Sequence, residues 1–269
     1  MSFLSIFRKS KSVSVIQLNG IIAPNMGRRK GLNLHDLEKV IEQAFTGNNI
    51  QAVALQINSP GGSPVQSEMI SLRIRELSEE KNIPVLAFIE DVAASGGYWL
   101  ACAADEIFAS KASIVGSIGV VSSGFGFDKA IEKLGVQRRL YTSGDNKAIL
   151  DPFLPENKED IKRLKAIQKE LHSQFIAFVK SRRGSKIKDD NKEVFTGAFW
   201  SGESSIEIGL IDSFGEMRKV LKERFGNKIK IKEFMPKKKF FGFSSLLAGA
   251  MEMLIFKIEE RSILKRFGL

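Results

Sequence analysis

The sequence contains very little cysteine and very little histidine. Its single cysteine, Cys102, excludes a disulfide within the chain, so the fold does not depend on oxidation and the cytosol is the expected compartment. Cys102 lies in an alanine-rich run, which favours a buried and unreactive thiol. The two histidines, His35 and His172, fall on predicted helices away from strand ends, so a Ser-His-Asp triad is poorly supported.

The sequence also lacks a long apolar run near its N-terminus. Only MSFLSIF precedes the first basic residues, which is too short for the core of a secretory signal and has the charge on the wrong side. We therefore expect neither a signal peptide nor an N-terminal anchor. Near the other end, Phe240–Phe256 is interrupted only by Glu252, and a central carboxylate disfavours spanning a bilayer. We expect an amphipathic helix there, which lies on a membrane, contacts a neighbouring subunit or packs on its own domain.

The chain carries a formal net charge of +10, and its basic residues are clustered. The clusters are at residues 28–30, 180–188 and 237–239, and the last of these is followed by Phe240 and Phe241. A basic cluster beside aromatic residues suits an anionic membrane surface, whereas no helix-turn-helix, zinc-finger or RNA-binding signature is present in the sequence. We expect no specific nucleic-acid partner. We expect a cytoplasmic protein that attaches peripherally to the inner face of the cytoplasmic membrane through Lys237–Phe256.

Strand-like and helix-like segments alternate along the chain, which predicts an α/β fold with mostly parallel strands. We divide the chain into a short basic N-terminal arm (1–12), one domain (13–236) and a basic, amphipathic tail (237–269). The sequence contains no internal repeat. The predicted strands are VSVIQLNG, AVALQIN, PVLAFIE, VQRRLYTSG and KIKIKEFM, and the predicted helices are HDLEKVIEQAF, SEMISLRIRELSEEK, GGYWLACAA, FDKAIEKLG and residues 157–183.

Two glycine pairs directly follow two successive predicted strands. Gly61 and Gly62 follow AVALQIN, and the serine Ser95 with its two glycines follows PVLAFIE. Glycine allows the backbone to turn sharply and to bring N–H groups close to a substrate, and sites in α/β folds lie at the carboxyl ends of strands. Ser95 is therefore either the N-cap of a short apolar helix or a nucleophile in a tight turn.

A serine nucleophile needs a base to accept its proton. Because both histidines are expected on the surface, the remaining candidate is a lysine whose pKa is lowered by burial. Composition does not select one lysine, since the chain has many. Lys147, in LYTSGDNKAILDPF, is the best placed, because it follows a predicted strand, lies beside a turn and precedes an apolar segment.

Three segments occur in an order that resembles the signal peptide peptidase A family: QINSPGGSPVQSEMI, AASGGYWLACAADEIFASKASIVGSIGVV and SGDNKAILDPFLPENKEDIKRL. The resemblance covers approximately residues 13–234. Members of that family are serine–lysine peptidases. The resemblance implies a crotonase/ClpP-like fold, with stacked, mostly parallel β-sheets and flanking helices.

The resemblance also implies roles for individual residues. Ser95 would be the nucleophile, Lys147 the general base and Ser117 the residue that orients the lysine. Gly61 or Gly62 would contribute to the oxyanion hole, with the Gly96 amide as a second donor.

The family further implies an endopeptidase that forms an acyl-enzyme and cuts apolar, extended peptides such as remnant signal peptides. Neither a cofactor nor a metal is expected. Single-domain members assemble into rings in which adjacent protomers supply the serine and the lysine of each site. Better-known members carry an N-terminal transmembrane anchor, and none is expected here.

Two alternative functions remain from the sequence. A crotonase-type acyl-CoA enzyme would share the fold and the oxyanion hole, but it would need a catalytic carboxylate, and only Glu90 is near. An inactive membrane-surface scaffold would keep the fold without the reaction. The presence of every expected catalytic residue type disfavours the scaffold.

Overall fold

The computed structural model describes residues 10–25, 31–187, 192–235, 261–262 and 264–269, which form two compact units. Unit 2 is Gly119–Phe175, and unit 1 is the rest of the described chain. Most of the predicted N-terminal arm, the basic cluster at residues 28–30 and the predicted tail helix Phe240–Phe256 lie outside the described residues. The predicted boundaries of the arm and the tail therefore stay predictions.

Unit 1 is built on one sheet of eight strands. They are β1 Ser12–Asn19, β2 Ile50–Ser59, β3 Val85–Ala94, β4 Glu106–Ala109, β5 Ile114–Gly116, β6 Phe199–Ser201, β7 Ser213–Phe214 and β8 Lys230–Phe234. The main path runs β6-β5-β3-β2-β1-β8, while β4 pairs with β3 and β7. Only the pairing of β5 with β6 is antiparallel among these strands.

Seven α-helices lie within the described residues. They are α1 Leu34–Phe45, α2 Pro64–Lys81, α3 Gly96–Ala101, α4 Asp128–Lys133, α5 Lys158–Arg183, α6 Gly202–Glu207 and α7 Met217–Phe225. Polar side chains cap the first turn of several of these helices. Asn33 caps α1 by accepting the Asp36 N–H, and Ser63 caps α2 by accepting the Gln66 N–H, as N-cap residues commonly do.

The core lies on both faces of the central strands. β1, β2 and the first half of β3 are almost continuously buried, which is typical of parallel strands covered on both sides. Helices α1 and α3 pack on the sheet and α2 packs against both of them, while a second cluster joins Phe88 and Phe108 of the sheet to Leu221 of α7.

Strand β3 divides its pairing between two neighbours. Leu86–Ile89 pairs with β4, whereas residues 92–94 pair with β5. Between the two pairings, Glu90 and Asp91 are exposed. Because β3 ends beside β5, the residues that follow these two strands are brought close together.

The predicted α/β class, a mostly parallel sheet with flanking helices, is confirmed. The prediction of a strand at VQRRLYTSG was wrong, since residues 136–144 contain no strand. A strand needs a neighbouring strand to satisfy its backbone groups, and none exists within unit 2. Arg138 in this segment instead forms a 2.9 Å ion pair with Asp151.

The sequence did not reveal β4 to β7, which are only two to four residues long. In the part of the chain that the structure describes, no helix is both long and apolar enough to cross a membrane.

Candidate active site

Ser95 lies in a strained turn between β3 and α3. Its φ of 53° and ψ of −123° are rare for a residue other than glycine. The turn is held by backbone bonds: the Ser95 N–H donates to the Gly116 carbonyl at 2.8 Å, and the Ser95 carbonyl accepts from Tyr98 and Trp99. Ser95 occupies the N-cap position, but its side chain makes no capping hydrogen bond. The hydroxyl, on a half-buried residue, is therefore not committed to capping α3.

The glycine pair after β2 packs directly against this turn. Gly61 has a φ of +101°, and a Cβ on it would lie 2.8 Å from the Ser95 Cβ and 2.8 Å from the Gly96 nitrogen. No residue with a side chain fits between these groups. The structure thus brings the two glycine pairs together, as expected from neighbouring parallel strands that end at one edge.

The backbone groups of this glycine loop differ in whether they have a hydrogen-bond partner. The Gly61 N–H donates to Ser59 Oγ at 3.2 Å, and the Gly61 carbonyl accepts from the Ile22 N–H at 2.9 Å. Among the described residues, no acceptor is found for the N–H of Gly62 or of Gly96. Of the predicted oxyanion-hole residues, Gly62 and Gly96 thus have an available donor, and Gly61 does not.

Ser117 lies next to the same turn. It follows Gly116, whose carbonyl accepts the Ser95 N–H, and its own N–H donates to the Ala198 carbonyl at 2.6 Å. Its φ of 54° is the second positive value at a serine in this region. Ser117 is half-buried, and because its neighbour Gly116 accepts the Ser95 N–H, Ser117 lies beside the Ser95 turn, as do the two glycine pairs.

Lys147 belongs to unit 2. It lies in a turn at residues 145–150, where its N–H donates to the Gly144 carbonyl at 3.2 Å, and its side chain is exposed. The strand predicted to precede it is absent, so this reason for selecting Lys147 was wrong. The turn and the following Ala148 and Ile149, both half-buried, are present.

Helix α3 is held at its far end by arginines that the sequence analysis did not single out. Arg182 donates to the carbonyls of Cys102 and Ala104, at 3.0 and 3.2 Å, and Arg75 donates to Ala103 at 3.3 Å. α3 ends at Ala101, so these three carbonyls belong to the cap residue Cys102 and to the turn that follows the helix. The only sequence signal was that Arg182 lies in the basic cluster at residues 180–188, for which no structural role was predicted.

The interior of α3 is also anchored. The buried Tyr98 hydroxyl donates to the Leu210 carbonyl at 2.8 Å. Cys102 is fully buried, as predicted, and burial raises the pKa of its thiol to about 12. Anchoring at its middle and its end fixes α3, and with it the position of Ser95.

Other candidate groups are not built into this turn. Glu90 is exposed on β3, where its carboxylate accepts from Gln56 at 2.5 Å. At about 3.3 Å per residue, an extended strand separates positions 90 and 95 by about 16 Å. Glu90 therefore does not supply the carboxylate that an acyl-CoA enzyme needs beside Ser95. His35 is exposed on α1, as predicted. Within the described ranges, no group of three or more His, Cys, Asp or Glu residues could hold a metal ion.

Comparisons with known proteins identify the family of the chain. The sequence model of peptidase family S49 matches residues 78–228, which contain Ser95, Ser117 and Lys147. A candidate protease of Synechocystis sp., slr0021, is 33% identical over 208 residues, which cover 76% of this chain and 70% of that protein. A candidate signal peptide peptidase SppA of Enterococcus faecium is 31% identical over 212 residues, covering 77% of this chain and 60% of that protein.

A longer protein matches nearly the whole chain. A Brucella abortus protein named Na(+)/H(+) antiporter NhaA is 45% identical over 272 residues, covering 96% of this chain. The chain spans only 37% of the length of that relative. The family model covers more than half of the chain, and the Synechocystis relative is similar over most of its own length. The chain therefore belongs to peptidase family S49, the signal peptide peptidase A family.

Proposed function

We propose that the protein is a serine endopeptidase that hydrolyses apolar, extended peptides, such as remnant signal peptides, with Ser95 as nucleophile and Lys147 as general base. One observation carries the proposal. The Ser95 hydroxyl is uncommitted in a strained turn, directly beside the Gly61–Gly62 loop. Strain of this kind persists where the surrounding structure enforces it, and it concentrates at active sites.

The reaction begins when Ser95 Oγ attacks the carbonyl carbon of the scissile bond while the neutral Lys147 amine accepts the hydroxyl proton. The N–H groups of Gly62 and Gly96 donate to the resulting oxyanion. The C–N bond then breaks, and Lys147 returns the proton to the leaving amine. Water attacks the Ser95 ester and gives one proton to Lys147, which passes it to Ser95 Oγ as the ester C–O bond breaks. The carboxylic acid product then loses its remaining proton to solvent water. Ser117 orients the Lys147 amine.

A second copy of the chain completes the site in this proposal. A lysine amine is a base only when neutral, and removal from water favours the neutral form. Lys147 is exposed in the single chain, so a partner must cover it. Unit 2 also exposes large apolar side chains, including Phe125 (80%) and Tyr141 (90%). We propose a homo-oligomeric ring in which adjacent copies supply Ser95 and Lys147.

The proposal includes a peripheral contact with an anionic membrane through Lys237–Phe256. Its support is the net charge of +10 and the basic-aromatic sequence of that segment. Flotation with phosphatidylglycerol vesicles compares the full chain with a form that ends at Pro236. We expect only the full chain to float, and equal flotation of both forms would contradict the membrane contact.

The central test is cleavage of a quenched fluorescent apolar peptide by the wild type, Ser95→Ala and Lys147→Ala. We expect both variants to lose nearly all activity, while Lys129→Ala, at another exposed lysine of unit 2, keeps it. A fluorophosphonate probe should label the wild type and not Ser95→Ala. Full activity in Lys147→Ala alone would show that the base is a different group. An inactive wild type that does not react with the probe would contradict the peptidase and favour the scaffold, and turnover of acyl-CoA would favour a crotonase-type enzyme.

A further inference from the structure

Ser59, the last residue of β2, is completely buried and makes two hydrogen bonds through its hydroxyl. Ser59 Oγ donates to the Gly20 carbonyl at 2.7 Å and accepts the Gly61 N–H at 3.2 Å. The hydroxyl therefore connects the end of β1 to the glycine loop beside Ser95. Its position immediately before Pro60-Gly61-Gly62 was visible in the sequence, but nothing in the sequence indicated these two partners.

These bonds set the direction of the next peptide group. The Gly61 carbonyl accepts the Ile22 N–H at 2.9 Å. In a planar trans peptide, the carbonyl of one residue and the N–H of the next point in opposite directions. With the Gly61 carbonyl directed at Ile22, the Gly62 N–H points away from Ile22. The Gly62 nitrogen lies 3.4 Å from the position that a Cβ on Gly96 would occupy, so this N–H lies beside the first turn of α3.

Ser59 also contacts that turn through its backbone. A Cβ on Gly97 would lie 2.3 Å from the Ser59 carbonyl oxygen, so α3 starts directly against Ser59. Ser59 thus contacts both segments that carry an available donor. Its hydroxyl bonds to the glycine loop, which carries the Gly62 N–H, and its carbonyl lies against the start of α3, which carries the Gly96 N–H.

We propose that Ser59 is a positioning residue that holds the Gly62 N–H in place for the oxyanion, an inference that rests on the proposed peptidase. Without the hydroxyl, the buried Gly61 N–H and the Gly20 carbonyl both lose a partner. Buried polar groups without partners are unfavourable, so the loop rotates to satisfy them. A rotated Gly62 N–H no longer meets the oxyanion, which exists only during the reaction.

The kinetic signature of a misplaced Gly62 N–H follows because the oxyanion exists only during the reaction. Loss of one oxyanion donor lowers kcat by about 100- to 1000-fold, and we expect a misplaced donor to cost about 10- to 100-fold. KM should change little, since the contact forms in the transition state and not with bound substrate. A peptide boronic acid, which forms a tetrahedral adduct with serine, should lose affinity by the same factor as kcat.

The test compares Ser59→Ala with Ser71→Ala, a matched buried serine whose hydroxyl donates to the Trp99 carbonyl at 3.4 Å and not to the glycine loop. We expect Ser59→Ala to show the kinetic signature and Ser71→Ala to match the wild type. Ser59→Thr, which restores the hydroxyl, should recover part of kcat. If Ser59→Ala does not fold, Ser59→Cys carries the test, because a thiol has similar size and bonds weakly.

Three outcomes would overturn the inference: an unchanged kcat in Ser59→Ala, a rise in KM that accounts for the whole loss, or an equal loss in Ser71→Ala. Failure of the proposed function looks different. In that case the wild type itself shows no cleavage that depends on Ser95, and the inference is overturned with it.

Discussion

Unit 1 buries many of its apolar side chains, whereas unit 2 buries almost none of its own. Around Ser95, unit 1 buries its apolar residues, and α3 is anchored along its length by Tyr98, Arg75 and Arg182. In unit 2, α4 has no buried residue, and Phe175 is the only hydrophobic residue of the unit that is buried in the described chain. Ser95, the proposed nucleophile, thus lies on a part of the fold whose apolar residues are buried, whereas Lys147, the proposed base, lies on a part that exposes large apolar side chains.

The strongest test of this difference places the Ser95→Ala and Lys147→Ala substitutions on different copies of the chain. Ser95→Ala and Lys147→Ala should each be inactive alone. When they are dissociated, mixed in equal amounts and reassembled, some sites receive an intact Ser95 from one copy and an intact Lys147 from its neighbour. For random assembly around a ring, about a quarter of wild-type activity should return. Peptide cleavage after mixing measures this.

The control is each variant taken through dissociation and reassembly alone. Activity that stays at background in the mixture, although mass spectrometry shows mixed oligomers, would mean that one copy supplies both groups.

The second prediction concerns the exposed apolar surface of unit 2. Phe125→Ser with Tyr141→Ser should shift the protein toward the monomer and lower activity by more than about tenfold, because about 2 kcal/mol or more of apolar burial per large side chain is lost at the interface. Analytical ultracentrifugation and peptide cleavage measure the two effects. The matched control is Val65→Ser with Leu72→Ser on unit 1, where each side chain is 55% exposed. An oligomer that persists in the unit 2 double variant but dissociates in the unit 1 double variant would show that unit 1, and not unit 2, forms the interface.

The two units also differ in how far the sequence predicts them. In unit 1, apolar periodicity predicted β1, β2, β3 and β8, and the rule that parallel strands end at one edge predicted the meeting of Gly61 with Ser95. The sequence could not predict the positive φ of Ser95 or the role of Ser59. Both depend on hydrogen bonds to residues distant in sequence, Gly116 and Gly20.

In unit 2, the pattern at residues 136–144 suggested a strand, but a strand forms only where another can pair with it. The alternation of side chains therefore had no structural consequence there. The role of Lys147 stays a prediction, because in our proposal it depends on groups from a second copy of the chain.

Replacing one glycine in each unit by alanine tests how much free space surrounds that glycine. Gly61→Ala should lower the free energy of unfolding by about 3 kcal/mol and abolish activity, since the new Cβ is strained by φ and meets backbone at 2.8 Å. Gly135→Ala in unit 2 has a positive φ of 66° but no atom within 4 Å, so it should cost about 1 kcal/mol. Urea unfolding compares them, and equal losses would mean that backbone strain alone is responsible.

The last prediction compares one ion pair in each unit. In unit 1, the Arg183 guanidinium, only 2% exposed, holds both oxygens of Asp212 at 2.7 and 3.1 Å, and Lys186 adds a third contact. Asp212→Asn leaves a buried cation without its partner and should cost about 3 kcal/mol of unfolding free energy. Asp151→Asn in unit 2 should have a much smaller effect, because Arg138 is 42% exposed, so water can replace its lost contact, and the asparagine oxygen can still accept the Phe153 N–H.

The pH dependence tests the Asp212 pair further. Burial raises the pKa of Asp212, but the hydrogen bonds from Arg183 and Lys186 outweigh it, so the pKa lies below the usual 3.8. A carboxylate whose pKa is lower in the folded state stabilises the fold fully above its unfolded value, and the contribution disappears as the pH falls through the folded value. The stability difference between wild type and Asp212→Asn should therefore be constant from pH 7 to about pH 5 and shrink below about pH 4. A difference that persists unchanged in acid would show that Asp212 acts through packing and not through its charge.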